Sequence, residues 1–538
     1  MIKRFLVVLL SALIVNVAYA EIKPRFADGT SYAKRQDKIR RHARMQARQP
    51  KGGVIGSQGT ASVKSIGRPK IPVVLVEFLD WKFSCACSGA IDNPDSIRRY
   101  FDMHFNGDGS GSLYRGSGSW GSVSEYYRDQ SYGKFEPEFV MIGPVTLNES
   151  YAYYGKNQGY EDSEVVDINI NIYNRELTQK AQTWFIQAGM DWSEFDNDGD
   201  GVVDILYSIY AGFGENGDDD VNTIWPKNCH GTYEVNGIKY GGYVCSNEVY
   251  QQVGNCDGIG VICHEFSHAM GLPDFYDVNY IAYGLDYWDI MDSGCYCYNG
   301  YRPCGYSAYE REFMGWRDMV TLEAGVDRTV TAYPMTTDEG YGYKIVNPAA
   351  DNEYYILENR QASPAGWDTN IGRGKKEMGY HSGLLITHVH YLKSRWEGNT
   401  VNTVTDHQLM TIMPADGSLD SYMWLGEGIY TAEYLFESAD GDLYPGCKNV
   451  HDFKGEQQTI YIGGDYMNQP VTDITQNTDG SISFNFCDGA IVAVDAPEMS
   501  GRTAQVRAYN IQGQPVNADF GQLHKGVYVI NGRKVLVK

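Results

Sequence analysis

The sequence predicts an α+β protein: a mixed helix-and-strand domain, then a β-sandwich, then a short C-terminal β segment. Three observations predict it. Residues 70–318 alternate an apolar strand (IPVVLVEFLD, 71–80), helical stretches and Gly/Ser-rich loops such as 107–122. From about 320 to 486 the helical period gives way to short alternating runs bounded by Gly, Asp and Pro, which is the pattern of a β-sandwich. Residues 506–538 then read as a strand, a Gln-Gly turn and three further strands. A chain of 538 residues is too long for one core. The expected parts are 1–20, 21–69, 70–318, 319–487 and 488–538.

The first part reads as a secretory signal. Lys3 and Arg4 precede a largely apolar run over 5–17, and Ala18-Tyr19-Ala20 stands before Glu21. No other stretch approaches the length of a membrane span, so the mature form is expected to lack a transmembrane segment. Residues 21–70 hold 13 Lys/Arg against 3 Asp/Glu, whereas the chain beyond them holds 30 against 65. A basic segment ahead of an acidic body favours electrostatic docking. It is expected to be a pro-segment that covers a cleft in the body and is cut away during maturation. An exported, acidic body argues against nucleic acid as a partner.

Within 70–318, helices are expected over 96–105 and 161–190. The loop Asp196-Asn197-Asp198-Gly199-Asp200-Gly201-Val202-Val203-Asp204 follows. Carboxylates at positions 1, 3, 5 and 9 with Gly at 6 suit a calcium loop, in which alternating oxygens wrap a hard cation. Asp196, Asp198, Asp200, the Val202 carbonyl and Asp204 are the expected Ca2+ ligands. Tyr207 stands where an EF-hand would place Glu.

The most specific motif is His264-Glu265-Phe266-Ser267-His268-Ala269-Met270-Gly271-Leu272-Pro273-Asp274. Residues four apart on a helix share a face, so His264 and His268 can hold one Zn2+ ion. Asp257 is the expected N-cap, and Gly271 is expected to turn the chain so that Asp274 supplies a third ligand, with Asp277 the competitor. Three protein ligands leave a position for water, whose pKa the ion lowers to roughly 7. Glu265 is placed to take that water's proton and pass it to the leaving amine. Met291, in Trp288-Asp289-Ile290-Met291-Asp292, looks like the Met-turn under the zinc of metzincin-type proteases. Tyr276, Tyr283 and Tyr287 are candidate donors to the tetrahedral intermediate.

Around this motif the chain resembles the immune inhibitor A family of secreted bacterial metallopeptidases. The resemblance rests on HEFSHAMGLPDFYD, YWDIMDSG and YSAYEREFMGW (306–316), with IPVVLVEFLD and GSVSEYYRDQSYGKF (121–135) upstream. EYYILENRQ (353–361) and GLLITHVHY (383–391) continue it downstream, so that it covers roughly 70–490. It implies a metzincin-like zinc endopeptidase with His264, His268 and Asp274 as ligands and Glu265 as acid/base. Protein or peptide substrates follow. Residues 506–538 resemble the sorting domain of type IX secretion cargo, implying contact with that machinery, passage across the outer membrane, and release or anchoring at the surface.

Strands are expected at 328–333, 342–347, 354–360, 383–391 and 458–463. His388 and His390 share a strand face and, lacking a nearby carboxylate or third histidine, read as packing residues. Eleven cysteines in an exported chain make disulfides the default. Cys263 is the expected buried thiol, and Cys295, Cys297 and Cys304 are expected to staple the loop after the Met-turn. Two rival functions are a surface adhesin that lost its chemistry and a zinc hydrolase acting on glycans.

Overall fold

A nearly unbroken apolar run from Lys70 to Glu77 suits a strand covered on both faces, and it sits at the heart of the first sheet. The structure is a computed structural model. It describes residues 61–487 apart from 84–92, 109–118, 158–166, 168, 219, 250–255, 278–281, 364–365, 374–380, 405 and 420–431, together with short strands between 508 and 537. The expected signal peptide and most of the basic segment lie outside the described residues.

The first sheet joins β1 (Lys70–Glu77), β2 (Glu138–Thr146), β3 (Leu206–Phe213), β4 (Lys227–Val235) and β5 (Ile238–Val249) in the order β2-β1-β3-β5-β4. Every pairing is parallel except β4 with β5, so β4 is an antiparallel edge. Alternation along β1 divides two cores. Val73 and Leu75 face the one that contains the His-motif helix; Val74 and Val76 face the one built on the helix Ile170–Gln187. Each such buried aliphatic side chain contributes about 1.5–3 kcal/mol.

The helix expected over 96–105 runs Pro94–Asn106, with Asn93 accepting from the N–H groups of Asp95 and Ser96. The helix expected over 161–190 is shorter, Ile170–Gln187, and Gly189 (φ 74°) turns the chain beyond it. Val63, within the expected pro-segment, is fully buried, and its N–H donates to Ala269 O at the end of the motif helix (3.0 Å).

Beyond residue 318 the chain forms β6 (Val320–Leu322), β7 (Arg328–Ala332), β8 (Tyr343–Asn347), β9 (Ala350–Gln361), β10 (Ser382–His390), β11 (Met410–Ile412), β12 (Val471–Gln476) and β13 (Ile482–Phe486). Two sheets result, β11-β10-β9-β8-β6 and β12-β13-β7. Tyr355, Leu357, Leu384 and Ile386 share a core with Val330, Ile482 and Phe484 of the smaller sheet. The intervening Tyr354, Ile356, Leu385 and Val389 instead join the core of the motif helix. The larger sheet therefore has both faces covered, one of them by the region of the motif helix.

The strand expected at 458–463 is absent. That stretch has only one isolated bridge, Thr459 to Tyr466, and its Tyr461 and Ile462 N–H groups donate to the Glu353 carboxylate instead of to a ladder. At the C-terminus, Ala508–Asn510, Pro515–Val516, Gly526–Ile530 and Arg533–Val537 form an antiparallel four-stranded sheet.

Candidate metal centre

The motif helix runs Gly260–Ala269, and all of its residues are buried. Gly260 is required by contact, since a Cβ there would stand 1.8 Å from Cys295 O. Asp257 does not cap the helix: the N-cap is Ile259 without a side-chain bond, and Asp257 accepts from Gly258 N (2.8 Å) and Asn247 Nδ2 (3.0 Å). The helix starts two positions later than Asp257 would need in order to cap it, and its carboxylate is turned onto Gly258 N and Asn247 instead. Gly271 does take positive φ (103°), and the chain turns back to Asp274.

His264 Nε2 and His268 Nε2 each lie 3.2 Å from Asp274 Oδ1. The three atoms are mutually within 4.8 Å, and all three residues are buried. Each imidazole is held from behind: His264 Nδ1 donates to Ile290 O (2.8 Å) and His268 Nδ1 to Leu272 O (2.7 Å). A carbonyl only accepts, so the proton sits on Nδ1 and the Nε2 lone pairs point into the site. Asp274 Oδ1 is buried without a hydrogen-bond partner. Ligands about 2.0–2.2 Å from a tetrahedral ion stand about 3.3–3.6 Å apart, so the donor set fits a metal such as zinc. Burial works against the Asp274 charge, but His268 and His264 pull its pKa well below the carboxylate range.

Glu265 is buried beside the first histidine, and burial raises its carboxyl against the pull of both histidines. No described residue hydrogen-bonds that carboxylate, while its backbone O accepts from Asn228 Nδ2 of the edge strand β4 (3.1 Å). Met291 is fully buried, its O accepts from Phe275 N (2.9 Å), and its N donates to Asp289 Oδ1 (2.8 Å). The neighbouring Ile290 supplies the carbonyl that fixes His264. Asp277 stands outside the three-residue group and accepts from Ala282 N (2.9 Å). Among the candidate donors, Tyr283 is turned away, its hydroxyl on Asp442 Oδ2 (3.3 Å), whereas the Tyr276 ring lies nearly parallel to His264 (centroids 6.4 Å).

The loop at 196–204 brings together Asp196, Asp198 and Asp204. Asp196 accepts from the N–H groups of Gly199, Asp200 and Gly201. Asp200 lies outside that group and accepts from Val202 N (2.8 Å). Burial, partly offset by Asn197, raises the Asp204 carboxyl to about 6.

Three other expectations change. His388 does have a carboxylate, Glu353 Oε1 at 3.0 Å, and His390 a third histidine, His407 at 3.0 Å. Both partners come from segments remote in sequence from the strand that carries the pair. Cys295, Cys297 and Cys304 are buried thiols not joined in disulfides, so among the described residues no staple closes the loop after the Met-turn; close backbone contacts at Gly260 and Gly294 hold it. Cys263 is a buried thiol as expected, and Cys256 is disulfide-bonded.

Sequence reasoning missed Ile290 O and Leu272 O, because a backbone carbonyl leaves no mark in residue type. It also missed Asn399, whose side chain reaches Asp274 from 125 positions away.

Residues 60–318 match the immune inhibitor A peptidase M6 catalytic domain. The match begins within the expected pro-segment and takes in the packed Val63. The chain is 25% identical over 321 residues to immune inhibitor A of Bacillus thuringiensis subsp. alesti, covering 51% of this chain and 45% of that protein. It is 26% identical over 216 residues to the pre-pro-metalloprotease PrtV of Vibrio cholerae serotype O1, covering 36% and 23% respectively. The chain thus spans less than half the length of the relatives it matches. Among the described residues no helix is long and apolar enough to cross a membrane.

Proposed function

We propose that the protein is a zinc-dependent endopeptidase acting on extracellular proteins or peptides. The observation that carries this reading is the convergence of His264 Nε2, His268 Nε2 and Asp274 Oδ1, with both Nδ1 atoms committed to carbonyls. When bound, zinc supplies Lewis-acid polarisation and an acidified water. Glu265 accepts a proton from water and returns it to the leaving amine; burial raises its carboxyl above the ordinary carboxylate value. The Met291 turn supports the site through the Ile290 carbonyl. The β4 edge, antiparallel to β5 and bonded to Glu265 O, offers an extended peptide a free ladder beside the acid/base.

The catalytic part is read as metzincin-like over 70–318, with a β-sandwich over 319–487. The 196–204 loop is read as a structural calcium site formed by Asp196, Asp198 and Asp204, with Asp200 and Val202 O in support. Export by residues 1–20, a zymogen kept latent by 21–69, and type IX secretion directed by 488–538 rest on sequence alone.

Metal analysis and peptide cleavage test the central reading. The parent protein should hold one zinc at this site and cleave peptides, and Glu265→Ala should keep the zinc and lose the cleavage. Peptidase activity surviving Glu265→Ala overturns the mechanism. Release of sugars but not of peptides would favour the glycan-hydrolase rival.

A further inference from the structure

The third arm of the centre is held from outside the catalytic span. Asp274 N donates to Asn399 Oδ1 (2.7 Å), and Asn399 Nδ2 donates to Asp274 Oδ2 (2.6 Å). The amide orientation follows from the chemistry: a backbone N–H needs an acceptor and a carboxylate needs a donor, and one amide supplies both. Asn399 is buried and takes φ 50°, a left-handed conformation that Asn tolerates better than most residues.

Asn399 has company. Asn402 Nδ2 donates to Phe275 O (2.6 Å) and Met410 O (2.6 Å), Gln408 Oε1 accepts from Gly284 N (2.8 Å), and Thr411 Oγ1 donates to Gly284 O (3.0 Å). All four lie past residue 318, where the family match ends, and they grip the stretch between the second histidine and the Met-turn. Only Asn399 touches a metal-ligating side chain.

We propose that Asn399 is a positioning residue for the metal centre, clasping Asp274 so that Oδ2 is occupied and Oδ1 alone faces the two histidines. This rests on the metal-site reading given above. Without the clasp the carboxylate rotates about χ2, and its backbone loses the tie that fixes the turn after Gly271. The larger β sheet, which carries this segment between β10 and β11, is then a working part of the metal centre. Outer partners of metal ligands are typically worth about 10–100-fold in metal affinity.

The test uses the full chain. Asn399→Gly removes the clasp but keeps the left-handed backbone, and Asn399→Asp places an anion against Asp274. Asn402→Ala is the control, since it loosens the same segment without touching a ligand. Zinc affinity is read by competition with a chromophoric chelator, geometry by the visible spectrum of the cobalt-substituted protein, and folding by the thermal midpoint of the metal-free protein. Asn399→Gly should weaken zinc about 10–100-fold and change the cobalt spectrum, with Asn399→Asp weaker still. Asn402→Ala should lower the thermal midpoint and keep zinc affinity within a few-fold. Parental affinity and spectrum in Asn399→Gly, with zinc lost in His264→Ala, overturn the clasp alone. Equal loss of affinity in Asn402→Ala reduces Asn399 to a structural role and also overturns it. A parent chain that takes up no zinc overturns the metal reading together with the clasp.

Discussion

The His264–His268–Asp274 centre and the 196–204 loop each gather three candidate ligands, but by opposite means. At the first, every ligand is buried and its second polar atom is tied down, by Ile290 O, Leu272 O and Asn399. At the second, the carboxylates are held by N–H groups of their own loop, and Asp198 stands in solvent. The two aspartates at the buried ends, Asp274 and Asp204, are both pushed up by burial. Asp274 is pulled back below the normal range by its histidines, and Asp204, with only Asn197 to help, is raised to about 6. The histidine centre is thus preorganised by the fold, whereas the acidic loop is organised locally.

The largest expected effect breaks the comparison if it fails. His268→Ala should abolish both zinc uptake and peptide cleavage, while Asp196→Ala should leave turnover at 25 °C within a few-fold; metal content and cleavage of a quenched peptide check both. A metal-retaining Glu265→Gln should lose about 10²–10⁴-fold in turnover, the usual contribution of a general acid/base. Next in size is calcium. At about 100 times its dissociation constant it should stabilise the parent by ~2.7 kcal/mol, seen as a higher thermal midpoint, and do nothing for Asp204→Ala. An unchanged midpoint in the parent would leave the loop an ordinary Asp/Gly turn.

How much of this was legible in sequence follows the same division. The spacing of His264, Glu265, His268 and Gly271 states the helix and its turn, because a helical period acts over a few residues. The 196–204 loop is equally local, although alternation alone does not say that the Asp200 carboxylate turns onto its own loop. What stayed hidden is long-range. Asn399 reaches Asp274 across 125 positions, Glu353 meets His388 from the neighbouring strand β9, and His407 meets His390 from the turn before β11. The all-round burial of the motif helix was hidden too, since its polar face is covered by β4 and by the turn before Asp274, not by its own neighbours.

A smaller effect sharpens the contrast between buried carboxylates with and without cationic company. Among the described residues Asp257 has only amide donors, Asn247 Nδ2 and Gly258 N, and burial raises it to about 7. Its folded pKa lies above the unfolded value near 3.8, so the folded state binds the extra proton and stability falls as pH rises between those two values. The penalty is absent below about pH 4 and complete above about 7. Asp257→Asn should therefore raise the thermal midpoint at pH 8 and change it little at pH 4. Parallel midpoint profiles for the two proteins across that range would mean the carboxyl ionises freely in place.

The smallest effect decides the membership of the acidic loop. Asp200 is exposed and stands outside the Asp196–Asp198–Asp204 group, and its carboxylate accepts one local bond, from Val202 N. Its removal in Asp200→Ala should change the metal-free midpoint by less than about 0.5 kcal/mol in stability, the ordinary range for a surface substitution. The calcium-induced rise should survive in reduced form, because one charge fewer weakens a hard-cation site without dismantling it. If Asp200→Ala erases the calcium response as completely as Asp204→Ala, the loop rearranges on binding to recruit Asp200. Its preformed geometry is then a resting state, and the distance between it and the prebuilt histidine centre is wider still.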